Sequence, residues 1–420
     1  MTRPPFRAGI QIDPSSFADR PVTAVLDELQ EQMACDALML FHQGALRTAA
    51  DDAEDLLDRL AEPAAERGIQ LIAQLGEFEV AGCGGQEGPD GESVHGGCVH
   101  DAGWRDSQTA WMIAVFQAHP NLAGGMFMHE RQGPLTVLFN KPNAQPRPIP
   151  FCFCSHCCSA ARERGLDPER ARAGYQALGE VVAEAMAGGE RPAEGWFIGI
   201  WRLLMRYPEI LAWEQLFYDG LHQYRRELVM AIKAQRPEVH VGHHIQNHTM
   251  LYDFSYRAGE DPVAIASYAD WIKLSTYPGV SGPRGRGRLR RLRATFFGDC
   301  EPAAARSVLA GIFGRDASDE ADLDGDGAAG GFAPSWIGKE LRRWRQACPE
   351  HAILNGLGIG IPGTESETET PTYIAACCRA GYEAGADGVL LSRNHAEMDP
   401  ALIVAAGHEI RAAMAVALPV

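Results

Sequence analysis

Short continuous apolar runs alternate along the chain with stretches in which apolar positions recur every three or four residues. The runs are AGIQI (8–12), ALMLF (37–41), IQLIAQL (69–75), LAGGMFM (122–128), VHVGHH (239–244), DWIKLST (270–276), AILNGLGI (352–359) and DGVLLS (387–392). Each has the length of a strand, whereas VTAVLDELQEQM, AEDLLDRLAEPAAERG and TYIAACCRAGYEAGA between them carry helical periodicity. A strand followed by a helix, repeated around the chain, predicts an α/β fold, a single (β/α)8 TIM barrel. Near-continuous apolar strands suit a parallel sheet covered on both faces. Two connections are long. One, about 131–236, follows the fourth strand and carries clustered cysteines and a helical stretch; the other, about 278–334, follows the sixth. We expect one domain over 1–420, with both insertions at the face where strand C-termini open into loops.

With 46% hydrophobic and 22% charged residues, the chain can bury a large core. A formal charge of -17 argues against a duplex nucleic acid partner, which needs clustered Lys and Arg. The one basic run, PRGRGRLRRLR (283–293), reads as a segment that is solvated or paired with acidic neighbours. No apolar run is long enough to cross a membrane, and MTRPPFRAGIQID lacks the apolar stretch of a secretory signal. Eleven cysteines, four of them between 152 and 158, suit thiols and metal in a reducing compartment better than a disulfide framework. The expectation is a cytoplasmic protein with no membrane or nucleic acid partner, and a homo-oligomer is compatible with the chain.

In a barrel, polar residues at strand C-termini converge on one pocket. Here they are Asp13, His42, Gln43, Gln74, Glu77, His129, Glu130, Arg131, His243, His244, Gln246, Asn247, Lys273, Ser275, Tyr277, Arg393 and Asn394. Histidines, amides, a few cations and carboxylates suit a small ligand rich in hydroxyls, as a carbohydrate is. Glu130, in MFMHERQGPL (126–135), directly follows an apolar run, where partial desolvation would raise its pKa and fit it to donate a proton. The competing reading is a salt bridge with Arg131 or another rim arginine.

In FCFCSHCC (151–158), Cys152, Cys154 and Cys157 form C-x-C-x2-C, which can hold Zn2+ tetrahedrally once a fourth ligand arrives. Cys98, in GGCVHDAGWRD, is one source; Cys158, His156 and Cys83 are others. Four protein ligands would make such a zinc structural, and reduced cysteines packed under a loop are the alternative.

HE at the end of the fourth strand, CFCSHC opening the next helix, and an upstream CVHDAGWRD together resemble the barrel of glycoside hydrolase family 42 β-galactosidases and related glycosidase-like barrels. The specific part of the resemblance spans about 95–175. It implies glycoside hydrolysis with Glu130 as general acid/base; we expect His129 and Arg131 to aid it as substrate contacts. It also implies structural zinc on Cys98, Cys152, Cys154 and Cys157. His244, Gln246, Asn247, Lys273, Tyr277, Arg393 and Asn394 are the expected substrate contacts.

The chain departs from that family in two places. His129 stands where the family has Asn, and the seventh strand, ILNGLGIGIP, carries no nucleophilic Glu. Glu365, Glu367 and Glu369 in GTESETETP read as a segment capping the next helix. Asp13 is therefore the first candidate for the second catalytic carboxylate, followed by Glu77, Asp253 and Glu397. A different chemistry also fits: His243, His244 and His248, with Asp13, His42 or Glu130, could hold a divalent metal for a sugar isomerase, epimerase or lyase. Alternation along a strand forbids His243 and His244 from both being ligands. A non-catalytic carbohydrate-binding barrel is the third reading. DLDGDG (322–327) opens like a calcium loop but has Ala333 at its twelfth position, so it reads as an acidic loop. GLGIG lacks the third glycine of a dinucleotide fingerprint. Trp201, Trp213 and Tyr218 are expected in the core.

Overall fold

A computed structural model describes residues 5–41, 52–77, 85–87, 93–128, 131–140, 152–315, 331–361 and 369–416. His42, Gln43, Cys83, His129, Glu130, Glu365, Glu367 and the 322–327 loop lie outside the described residues.

Eight parallel strands close into a barrel: β1 (Ala8–Ile12), β2 (Ala37–Phe41), β3 (Gln70–Leu75), β6 (Leu122–Phe127), β7 (His240–Ile245), β8 (Trp271–Ser275), β9 (Ala352–Gly358) and β10 (Gly388–Asn394). β1 closes the ring by pairing with both β2 and β10. These are the eight expected runs. A short antiparallel hairpin, β4 (Gly85–Glu87) with β5 (Ser93–Gly97), was not anticipated, since neither piece has an apolar run to announce it.

Side chains alternate along each strand. One set, including Ile10, Ile12, Leu38, Leu40, Ile272, Leu274, Val389 and Leu391, packs under the helices in the main core. The other set fills the barrel interior, where Phe6, Met39, Ile72, Met126, Trp271, Leu354 and Leu390 form an apolar plug. Further toward the strand C-termini the same inward positions become polar: Gln74, His244, Lys273, Ser275 and Ser392, all buried. The interior is thus sealed below and polar above.

The opposite face is fixed by a repeated device. Asp36, Asp270 and Asp387 each immediately precede a strand or its first residue. Their carboxylates accept from Ala8, Val241 and Ile353 N–H respectively, each at 2.7 Å. The N–H of each aspartate donates back to the carbonyl of the same residue, at 2.8–2.9 Å. Neighbouring strands are thereby locked in register where the ladder begins.

Five helices among the described residues, Pro134–Asn140, Ser155–Glu163, Pro168–Met186, Trp196–Arg206 and Glu209–Gln235, lie in the connection between β6 and β7 around a second core. Trp213 and Tyr218 are buried in it or beside it, as expected, but Trp201 is 55% exposed. The helix WFIGIWRLLMR carries two charges, Arg202 and Arg206, one turn apart, and its apolar face is wider than the strip that packs. Trp196 and Ile200 are inside, while Phe197, Trp201 and Met205 share the open side. The basic run lies in the helix Pro278–Ala294, where Arg288 is fully buried against Asp253 and Leu289 and Leu292 join the core. No helix among the described residues is long and apolar enough to cross a membrane.

Removing the Asp36 carboxylate leaves the Arg7 and Ala8 N–H groups without their acceptor. Asp36→Ala should lower unfolding stability by about 1–3 kcal/mol. Urea denaturation should show a lower midpoint at unchanged slope; an unshifted midpoint would refute the role.

Candidate functional site at the strand C-termini

The chain leaves β6 through a segment held at nearly every residue. Arg131 grips Glu77, just past β3, with two parallel bonds of 2.6 Å, and also donates to the Gly97 carbonyl at 2.7 Å. Its guanidinium lies over the Trp104 ring, 4.9 Å from the centroid. Such a bidentate, stacked pair fixes direction as well as distance. Gln132 Nε2 lies 2.9 Å from His248 Nε2, Gly133 N–H donates to the Tyr218 hydroxyl, and Leu135 N–H donates to Glu214. A Cβ on Gly133 would fall 2.1 Å from Glu214 Oε1, so only glycine fits there. Arg131, expected as a substrate contact, is thus occupied in holding the strand exit. Glu77 is occupied with it.

His248 belongs to a second group. Its Nδ1 lies 3.0 Å from Asp253 Oδ2, while Oδ1 of that carboxylate accepts from Arg288 at 2.9 Å, from Ser255 and from the Tyr256 N–H. Thr136 Oγ1 is 3.2 Å from the same oxygen. Burial works against ionisation of Asp253, yet the Arg288 guanidinium and the His248 ring hold its carboxyl well below the usual carboxylate range. Asp253 is fully enclosed, so it acts on the pocket only through His248, whose Nδ1 it orients. A 3-10 turn, Asn247–Met250, brings this pair together.

On the inner wall, His244 lies 3.3 Å from the Ser275 hydroxyl, and Lys273 Nζ lies 3.3 Å from the Tyr277 hydroxyl. His243 points the other way, edge-on to Tyr268 in the surrounding shell, as strand alternation requires. Gln246 is buried with its Oε1 unpartnered, and Asn247 accepts from Arg284 at 3.3 Å. Across the barrel, Asn394 Nδ2 donates to Asp13 at 2.6 Å and its Oδ1 accepts from Gln11 at 3.1 Å. Asp13 also caps the turn that follows β1. Arg393 pairs with Glu397 at 2.6 Å and sits at φ 107°. Tyr277 also takes a left-handed conformation, φ 33°. Two non-glycine residues in that region, both just at or past barrel strands, are the kind of strain that collects at working sites.

Glu369 was expected only to help cap a helix. Thr370 is the cap, and Glu369 instead folds back so that its carboxylate accepts from the Gly360 N–H at 2.7 Å, just past β9. Burial raises its pKa. This returns a carboxyl group to the end of the seventh barrel strand, whose own sequence has none.

The thiols of Cys98, Cys152, Cys154 and Cys157 are all buried, with their sulfurs within 4.8 Å of one another. The cluster can hold a metal ion: a tetrahedral ion with metal–sulfur bonds of about 2.3 Å fits sulfurs at this spacing. The fourth ligand position thus falls on Cys98, not on Cys158 or His156. The His100 N–H donates to the Cys98 sulfur, and Gly97, whose carbonyl holds Arg131, is the residue before it. The cysteine knot and the exit of β6 are therefore one construction.

No family model matches the chain, and no curated protein matches it in sequence. Solved structures do resemble it. The β-galactosidase from Rahnella sp. R3 aligns with a TM-score of 0.57 at 14% identity, over 98% of this chain and 57% of that one. The β-galactosidase from the psychrophilic Marinomonas ef1 gives 0.55 at 11%, over 99% and 61%. That from Bacillus circulans sp. alkalophilus gives 0.55 at 11%, over 97% and 56%. What they share with this chain is the fold. The chain spans 56% to 61% of the length of these structures.

Two outcomes follow from the buried groups. Burial pushes the Glu214 carboxyl up to about 8. Between the ordinary carboxylate range and pH 8 the native state keeps a proton that the unfolded chain has lost, so stability falls as pH rises through that window. Glu214→Gln should remove the slope, gaining on wild type by on the order of 2–4 kcal/mol between pH 5 and 8 at about 1.4 kcal/mol per pH unit. Parallel urea-stability profiles for the two proteins would refute it. For the thiols, elemental analysis should find one metal per chain in the wild type and a large loss in Cys154→Ser, with a lowered Tm. A metal-free wild type of unchanged Tm would reduce the cluster to packing.

Proposed function

We propose that the protein is a glycoside hydrolase acting on a small glycoside, with Glu130 as the general acid/base. The observation that carries this reading is the anchoring of residues 131–135, the segment that directly follows Glu130 in the sequence. The polar inner wall at the same end of the barrel and the fold shared with β-galactosidases support it. In this reading Glu130 protonates the leaving-group oxygen, and His129 is proposed to contact the sugar. Asp13 or Glu369 supplies the second carboxyl. A separation near 5 Å from Glu130 would make that group a nucleophile, and a longer one, leaving room for water, a general base. Gln246, Asn247, His244 and Asn394 are proposed as hydroxyl contacts. The four cysteines are proposed to hold structural zinc, closed by protein ligands and taking no part in the chemistry. All ten described cysteines are free thiols, which supports a cytoplasmic setting.

One observation favours a second reading. The His248–Asp253 pair is built as an oriented base, and proton transfer beside a sugar carbonyl, in an isomerase or lyase, would use it.

A panel of aryl glycosides tests the hydrolase. Turnover should survive a chelator in protein that stays folded and drop at least ~100-fold in Glu130→Gln, the scale of a lost general acid or base. Asp13→Asn and Glu369→Gln should differ sharply, the deeper loss marking the second carboxyl. No turnover on any aryl glycoside, with His248→Asn abolishing isomerisation of a free sugar, would replace hydrolysis by the second reading.

A further inference from the structure

Lys273 lies on the inner wall of the barrel and is 1% exposed. A buried ammonium is normally met by a carboxylate, because stripping water from an unpaired charge is costly. Among the described residues no carboxylate pairs with it; its Nζ has the Tyr277 hydroxyl at 3.3 Å, on a ring whose centroid is 5.5 Å away. The described inward side chains of the barrel strands around it, Gln74, His244, Ser275, Ser392 and Asn394, are amides, hydroxyls and an imidazole, none of them an acid.

The structure makes room for this arrangement. β9 presents glycine at two successive inward positions. A Cβ on Gly356 would fall 2.5 Å from Lys273 Cε, and one on Gly358 would fall 2.7 Å from the Tyr277 ring. The lysine stem therefore runs through a slot that only glycine leaves open, toward the strand C-termini. Tyr277 is held over its end by a left-handed backbone, φ 33° and ψ 61°. An ammonium, which carries three donors, and a phenol hydroxyl beside it form a fork suited to two oxygens of one anion.

We propose that Lys273 and Tyr277 form a subsite for a carboxylate, so that the sugar accepted by this pocket is an acidic one, a uronate. The inference rests on the carbohydrate pocket proposed above and names its substrate class. The bound carboxylate supplies a counter-charge that the described inward side chains around Lys273 lack, and a neutral sugar supplies none.

Calorimetric titration tests this without any need for turnover. The probes are methyl glycosides of glucuronate, galacturonate and mannuronate, each beside its neutral hexoside and the 6-phosphate of that hexose. At least one uronide should bind wild type ten-fold or more tighter than its hexoside. Lys273→Met should erase that preference while changing the hexoside Kd less than about three-fold. Tyr277→Phe, which keeps the ring and removes the hydroxyl, should weaken the uronide by a smaller factor and guards against misfolding of the lysine variant. Equal binding of uronides and hexosides, equal loss of both in Lys273→Met, or no uronide binding at all would overturn the proposal. Tighter binding of a hexose phosphate than of every uronide would reassign the fork to phosphate and also overturn it. Uronide binding without aryl glycoside turnover would retain this subsite and sink hydrolysis; hydrolysis of neutral glycosides without uronide preference would do the reverse.

Discussion

The bidentate pair between Arg131 and Glu77 is the contact on which the upper half of this barrel depends. It joins the exits of β3 and β6, neighbouring strands whose sequences then diverge into a hairpin and a long helical insertion. Because the same guanidinium also takes the Gly97 carbonyl, the ion pair carries the hairpin, and through Cys98 the thiol cluster, on one support. A charge pair with this geometry is partly buried, stacked on Trp104 and fully used, so it resists the water that weakens surface pairs.

The two ends of the barrel follow different rules. At one end, aspartates satisfy N–H groups of adjacent strands and the inward side chains are apolar. At the other, inward side chains are polar, hydrogen bonds run between side chains, and Arg393 and Tyr277 hold conformations that cost energy. Stability is concentrated where no ligand reaches, and strain where one could. Two buried carboxyls near that end are pushed in opposite directions: burial raises Glu214, in the insertion, while Arg288 and His248 hold Asp253, just past β7, well below the usual carboxylate range.

Much of the fold was legible because buried parallel strands are continuous apolar runs, and all eight barrel strands fall within a residue or two of those runs. Cys98 was one of several candidate partners for C-x-C-x2-C, and the geometry selects it. Failures arose where pattern carries no direction. Trp201 lies on a helix whose apolar face is wider than the strip that packs, so only packing could reveal which part of that face is open. Asp253 was read as a free carboxylate, but a 3-10 turn and a buried arginine from the Pro278–Ala294 helix enclose it, and neither relation has a spacing rule. Glu369 looked like part of a cap because cap segments and returning loops share composition. Arg131 was placed among ligand contacts by position alone, and its actual partner comes from a strand exit 54 residues earlier.

The thiol cluster also has a topological meaning. Cys98 and Cys157 are 59 residues apart, and the whole of β6 lies between them. Bringing them together closes a loop that contains a whole barrel strand. Such a loop costs entropy to close, and the ladder that pairs β6 with β3 and β7 already holds that strand in the native fold. A metal seated there would add a second tie to a strand the barrel already holds.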